Sequence, residues 1–140
     1  MRLWHKDLIP VLPRQQLLSQ WRECCCIAQN IAVNGTPNHL LVNKVLKYPE
    51  EHFWIYTLLV YHEMKKRGYS PHWYDFQKHY RYGKAEKLAK KRVYLLDLFA
   101  RWHNDRYLRQ CYYNLQEKYD CGGISEEEWK LIENRMEVRI

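Results

Sequence analysis

Residues 49–68 read PEEHFWIYTLLVYHEMKKRG, and this stretch decides the fold class. Pro49 suits the first turn of an α-helix, where its missing N–H costs nothing. Glu50 and Glu51 follow at the positive end of the helix dipole. Lys65, Lys66 and Arg67 put cations in the last turn, and Gly68 stands just beyond as the stop signal. Between these ends, Phe53 to Met64 is apolar on most sides, which predicts a helix at the centre of a core.

Helical spacing continues in both directions. Upstream, Arg14 to about Gln29 carries Leu17, Leu18, Trp21, Cys25 and Ala28 on one face. Ala32 to Tyr48 holds turn chemistry at Asn34-Gly35 and Thr36-Pro37, then HLLVNKVLKY, which fits a short helix or an extended piece equally. Downstream, Ser70-Pro71 can open a short helix through Trp73 and Phe76. A longer one is expected over Lys84 to Trp102, with Val93, Leu96 and Phe99-Ala100 inward. Asn104 or Asp105 can cap a helix carrying Leu108, Cys111, Tyr112 and Leu115 to Lys118, which Gly122-Gly123 breaks. Ser125 to Glu128 is a capping box that opens a final helix with Trp129, Ile132 and Met136. No strand pattern, repeat or linker interrupts this. The expectation is all-α: one compact domain over residues 1–140, of several irregularly packed helices.

Composition narrows the function. The chain has 140 residues, 46% hydrophobic and 28% charged, which fits a folded globular protein rather than a disordered one. Its net charge of +7 makes an anionic partner, nucleic acid first, a natural candidate. The five cysteines include three in a row, Cys24 to Cys26, and form no CxxC pair. Neighbours on a helix point about 100° apart, so the triplet cannot converge on one metal. Small apolar side chains in a reducing compartment account for them. No signal-peptide core and no membrane-length apolar run occurs, so a cytoplasmic protein, neither secreted by that route nor membrane-spanning, is expected. Glycine-rich phosphate loops, HExxH, GxSxG and paired DxD motifs are absent, which removes most nucleotide- and metal-dependent hydrolases.

Three stretches carry chemistry. The first is MRLWHKDLIP, residues 1–10, where apolar residues begin at Leu3 although chain termini are ordinarily polar and loose. An α-amine has an ordinary pKa of about 7.7–8.0 against about 10.4 for lysine, so more of it is neutral near physiological pH. A neutral amine held in place can attack an aldehyde-like carbon and form an imine. Arginine as second residue favours retention of Met1, can depress the amine's pKa further and can hold a phosphate. The plain alternative is that Leu3 and Trp4 only dock the terminus. The second stretch is Gln20-Trp21-Arg22-Glu23, either a surface ion pair or an acid–base group beside a basic cleft. The third is HYRYGKAEKLAKKR, residues 79–92, where Tyr80 and Tyr82 interleave with cations such as Lys84. Such a mixture can grip phosphates and stack bases, or be a solvated helix face with a Glu86–Lys90 pair.

Together these elements resemble the pyrimidine-dimer DNA glycosylase family of the phage endonuclease V type. LIPVLPRQQLLSQWRE, residues 8–23, is similar to the family's first helix region, with its glutamine before two apolar residues and aromatic-Arg-Glu end. MKKRGY, 64–69, is similar to the end of its central helix, and LQEK, 115–118, to a Leu-x-Glu-Lys on its last long helix. The opening MRLWHKDLIP looks closest to a bacterial branch. The resemblance implies a DNA repair enzyme, a glycosylase and abasic-site lyase, acting on damaged double-stranded DNA as a monomer without cofactor or metal. It implies Met1 as the amine nucleophile and Glu23 as the catalytic carboxylate, with Arg2, Arg22 and Lys118 on DNA, and Lys84 of the basic-aromatic stretch is expected to join them. Trp21 or Tyr82 would be the wedge that fills the gap left by a displaced base. The chain departs from the family pattern at Gln16, where the family has a histidine, and at Cys26 and Asn114, where it has arginines. The family's aromatic-basic tail after its last helix is also missing. A non-catalytic nucleic-acid-binding protein on the same basic face is the alternative, and a helical interaction module the third.

Overall fold

The computed structural model describes residues 1–80 and 97–139. A 3-10 helix, Lys6–Val11, leads into α1, Arg14–Asn34. A second 3-10 helix, Asn43–Lys47, precedes α2, Glu50–Lys66. A one-turn α3, Trp73–Gln77, and a 3-10 turn, Lys78–Tyr80, follow. After the undescribed stretch come α4, Asp105–Asp120, and α5, Glu126–Arg139. Among the described residues there is no strand, and no helix is long and apolar enough to cross a membrane. The all-α expectation holds.

α2 is the central element the sequence predicts, with Phe53, Trp54, Tyr56, Thr57, Val60 and Met64 buried. Pro49 sits one position earlier than expected, just before the first turn. At the other end, Gly68 donates to the Lys65 carbonyl (3.0 Å) and Tyr69 reaches back to Met64 (2.9 Å). This crossed pair of bonds requires the positive φ of 92° that glycine adopts without strain. Gly122 and Gly123 repeat the pattern at the end of α4, on the Tyr119 and Lys118 carbonyls. The predicted caps also form: Asn104 accepts from the Tyr107 N–H at 2.9 Å, and Ser125 and Glu128 make the reciprocal capping box.

α1 continues past Gln29 to Asn34, where Gly35 at φ 76° ends it. Its buried face is Leu17, Gln20, Trp21, Cys24, Ile27 and Ala28, with Leu18 and Cys25 only half-buried. The face is turned from the expected one because α1 is covered on two sides, by α2 and by the N-terminal segment. The α1 N-terminus lacks a local cap; Glu128 of α5 accepts the Arg14 N–H at 2.7 Å instead. Burial would raise the Glu128 pKa, but this bond and those from Ser125 outweigh it and hold the carboxyl below its ordinary value. Arg67 serves the 3-10 helix in the same way, donating to the carbonyls of Leu12 (2.7 Å) and Pro10 (3.2 Å).

The dense aromatics build the core as stacks. Trp73 meets Trp54 at 5.2 Å, Tyr61 at 5.3 Å and Phe76 at 5.0 Å. A second group gathers Tyr48, His52, Tyr56, Trp102 and Tyr107 around the Phe99–His103 pair. Each ring pair adds about 0.5–1.5 kcal/mol beyond its buried area.

The expected helix over Lys84 to Trp102 fails at its C-terminal end. Phe99 and Arg101 have φ of 52° and 75°, values a helix cannot contain. Phe99 is buried as expected, but Ala100 is exposed, so the inward pair is Leu98 and Phe99. Side chains from elsewhere hold this turn: His52 accepts the Phe99 N–H at 3.0 Å, Lys6 donates to Leu98 O at 2.7 Å and Tyr48 to Ala100 O at 2.6 Å. Val93, Leu96, Tyr82 and Lys84 lie outside the described residues.

Candidate active site

Residues 1–5 form no helix or strand and Lys6 only opens the 3-10 helix, so their backbone groups need partners from elsewhere. Buried side chains provide them. Gln20 on α1 grips the segment twice, accepting the Trp4 N–H at 2.8 Å and donating to the Arg2 carbonyl at 2.9 Å. Tyr56 of α2 donates to the Trp4 carbonyl and Tyr107 of α4 to the Leu3 carbonyl, both at 2.6 Å. His103 accepts the Lys6 N–H at 2.9 Å. Leu3 and His5 are fully buried. Three helices and the 97–103 turn thus converge on six residues and hold the start of the chain still.

Arg2 lies at the edge of this clamp. Its backbone N–H donates to Glu23 Oε2 at 3.3 Å. Three covalent bonds separate the Met1 nitrogen from the Arg2 nitrogen, which places the α-amine within about 7 Å of that oxygen. The Arg2 guanidinium sits 5.1 Å from the Trp4 ring centroid, with Nη1 3.8 Å from Cys111 Sγ. Burial pushes the Cys111 thiol up despite Arg2 and the His5 N–H beside it, and burial also pushes Cys24 up. Neither thiol rivals an amine as nucleophile.

Met1, Arg2, Glu23 and Lys118 open onto one cavity of about 460 Å³. Trp4, Gln15, Gln16, Ser19, His39, Leu41 and Asn114 complete its lining, so α1, α4 and the turn after α1 all contribute. Gln16 Oε1 and His39 Nδ1 are buried there without a hydrogen-bond partner among the described residues. Buried polar atoms are ordinarily satisfied, so these two are free to bond a ligand. Lys118 is exposed in the last turn of α4, where the Gly122-Gly123 stop ends the helix beside the cavity.

Four of the sequence-predicted site residues therefore meet: Met1, Arg2, Glu23 and Lys118. Arg22 is exposed next to Glu23 but outside the lining, its guanidinium 3.3 Å from Ser19 Oγ. Trp21 requires correction. It is 7% exposed and packs on Tyr61 and Trp73 at 5.9 and 6.1 Å, in the core on another side of α1, so it cannot serve as a wedge. Tyr82 and Lys84 fall outside the described residues. Sequence reasoning missed the clamp (Gln20, Tyr56, His103, Tyr107) and the cavity residues His39 and Leu41. Gln20 did leave a signal, a lone amide on the apolar stripe between Leu17 and Cys24, because a buried amide must find partners.

Comparison with curated proteins and with solved structures finds no match. A family model described as pyrimidine dimer DNA glycosylase matches residues 1–75, which include Met1, Arg2, Gln20, Tyr56 and Glu23. That span exceeds half of the 140 residues and holds the nitrogen–carboxylate pair with most of its clamp; the chain belongs to the pyrimidine dimer DNA glycosylase family.

Proposed function

We propose that this glycosylase is also an abasic-site lyase that works through an imine on the Met1 α-amine. The observation that carries it is the Arg2 N–H to Glu23 bond at the wall of a cavity that Met1 lines. The neutral amine attacks C1′ of the damaged nucleotide. The glycosidic bond breaks, and the base leaves with the electron pair and gains a proton. Loss of the ring oxygen's bond to C1′ then gives a protonated imine, whose positive charge a carboxylate stabilises and a lysine would not. Glu23 next accepts a proton from C2′. The C2′ electron pair forms the new double bond as the C3′–O3′ bond breaks, and the strand is cut by β-elimination. Water finally hydrolyses the imine and frees the amine.

Arg2 and Lys118 at the cavity, and Arg22 outside it, would hold phosphates of a distorted duplex. The substrate is damaged double-stranded DNA, with pyrimidine dimers the class the family points to. The protein acts as a single-domain monomer in the cytoplasm, on nucleoid DNA, without cofactor or metal.

Borohydride reduction in the presence of abasic duplex tests the mechanism. A covalent adduct is expected, and a short N-terminal extension should abolish it. Glu23→Gln should retain salt-dependent DNA binding while strand cleavage falls by roughly 10²–10⁴-fold. Binding without any adduct would reject the amine mechanism and leave a non-catalytic DNA-binding protein.

A further inference from the structure

The turn between α1 and the second 3-10 helix holds the most exposed large apolar side chain among the described residues: Leu40, 88% exposed. Single exposed leucines are ordinary on protein surfaces. This one is set apart by how firmly it is held outward and by what lies beside it. Asn43 Oδ1 accepts the His39 N–H (3.0 Å) and the Thr36 hydroxyl (3.3 Å), and Thr36 Oγ1 accepts the Asn38 N–H (3.1 Å). The His39 carbonyl takes both the Val42 and Asn43 N–H groups, at 3.0 and 2.7 Å. Pro37 and Val42 are buried on either side. Asn38 turns the chain at φ 57°, a conformation asparagine tolerates better than most residues. The backbone is thus fixed at both ends, with Leu40 at the tip.

The neighbours on both sides of Leu40, His39 and Leu41, line the cavity that Met1 and Glu23 share. Leu41 is itself 48% exposed, so the cavity has an apolar edge next to the tip. Lys44 and Lys47 are exposed just beyond and supply charge for a phosphate backbone. An enzyme that brings a nucleotide out of a duplex must unstack it, and apolar side chains inserted between base steps do this elsewhere.

We propose that Leu40 is the wedge that enters the base stack over the cavity, with the Asn38–Leu41 turn as its rigid mount. It takes the role the sequence reading gave to Trp21 or Tyr82, of which Tyr82 lies outside the described residues, and it rests on the DNA-lyase reading of the adjoining cavity. Insertion parts the neighbouring bases and leaves the damaged sugar facing Met1.

The test compares Leu40→Ala with the unmodified protein on two probes, an abasic site in a duplex and the same site in a single strand, read by borohydride trapping. A wedge is needed only where a stack must open, so the duplex-to-single-strand ratio of trapping rates should fall at least about tenfold. A duplex with a non-reactive tetrahydrofuran site beside 2-aminopurine gives a readout independent of chemistry. The unmodified protein should brighten the 2-aminopurine, Leu40→Ala should not, and Leu40→Phe should retain most of the effect. Val33→Ala, at a 74% exposed apolar position near the end of α1, controls for loss of surface apolarity. An unchanged ratio and unchanged brightening in Leu40→Ala would overturn the wedge. So would a shift in sedimentation with both DNA readouts intact, which would assign Leu40 to contact with a second copy. If the unmodified protein traps neither probe, the lyase reading fails, and the 2-aminopurine signal still decides the wedge.

Discussion

Replacing Gln20 with leucine tests whether the clamp positions the chain's first residues. The two side chains are similar in size, so the change opens little cavity, but it deletes three hydrogen bonds: from the Trp4 N–H, from the Tyr56 hydroxyl and to the Arg2 carbonyl. Tyr56 keeps its 2.6 Å bond to Trp4 O and stays satisfied. The Trp4 N–H and the Arg2 carbonyl do not, and each unsatisfied buried group costs about 1–3 kcal/mol. Part of this is regained because leucine sheds less hydration than an amide, leaving an expected loss of about 3 kcal/mol. For a chain of this length that lowers the melting temperature by about 10 °C. Gln20 is fully buried, yet on the proposed mechanism trapping of abasic duplex should fall more steeply than DNA binding, because the Arg2 N–H that ties the first residues to Glu23 is no longer held in place. The assay pairs thermal melting with borohydride trapping, well below the melting range. Tyr56→Phe shares the Trp4 carbonyl network, so the double variant should be non-additive by at least about 0.5 kcal/mol. Leucine at position 20 with a melting temperature within about 3 °C of the unmodified protein and unaltered trapping would refute the clamp.

Acid should loosen the same segment. Burial first, then His5 and Lys6, pushes His103 down to about 2 from its usual 6.5, and its Nδ1 must stay unprotonated to accept the Lys6 N–H. Only the unfolded chain takes up this proton between those values, so the stabilisation is complete above about pH 6.5 and shrinks as pH falls toward 2. At pH 5 the loss is about 2 kcal/mol, measurable by urea midpoints, and His103→Gln should flatten the dependence. Lys118→Ala should weaken binding to all duplexes alike and reduce the salt slope by about 1, whereas a sequence-dependent loss would place it on a base. Trp21→Ala should cost about 3–5 kcal/mol of stability, seen by denaturant titration; a stable variant with selectively impaired DNA binding would restore Trp21 as a DNA contact.

Helix positions and ends were legible in the sequence because their causes are local. The Gly68 stop, the Asn104 cap and the Ser125–Glu128 box each act within about one helical turn, so a single chain displays them. The opening MRLWHKDLIP, with Glu23 on the following helix, also marked where chemistry would be sought, because an α-amine and a carboxylate are scarce pairings. Distance in sequence hid the rest. The Glu128 cap on α1 spans 114 positions and the Tyr107 bond to Leu3 spans 104, and neither has a periodic signature. The helix-breaking φ values at Phe99 and Arg101 are held by His52, Lys6 and Tyr48, none of which is near in sequence.

By itself, then, the sequence determined an all-α chain with a central apolar helix, capped ends and a basic surface, since propensity, periodicity and charge are properties of neighbouring residues. Which side of α1 faces the core, and so whether Trp21 or Glu23 meets the solvent cavity, was decided only when α2 and the N-terminal segment packed against it. Tertiary packing likewise brought His39 and Leu41, the neighbours of exposed Leu40, to the cavity that Met1 lines. The physical reason is that a helix can bury any of several adjoining arcs at similar cost. The choice falls to partners that satisfy a buried amide such as Gln20 and exclude water from the rings around it.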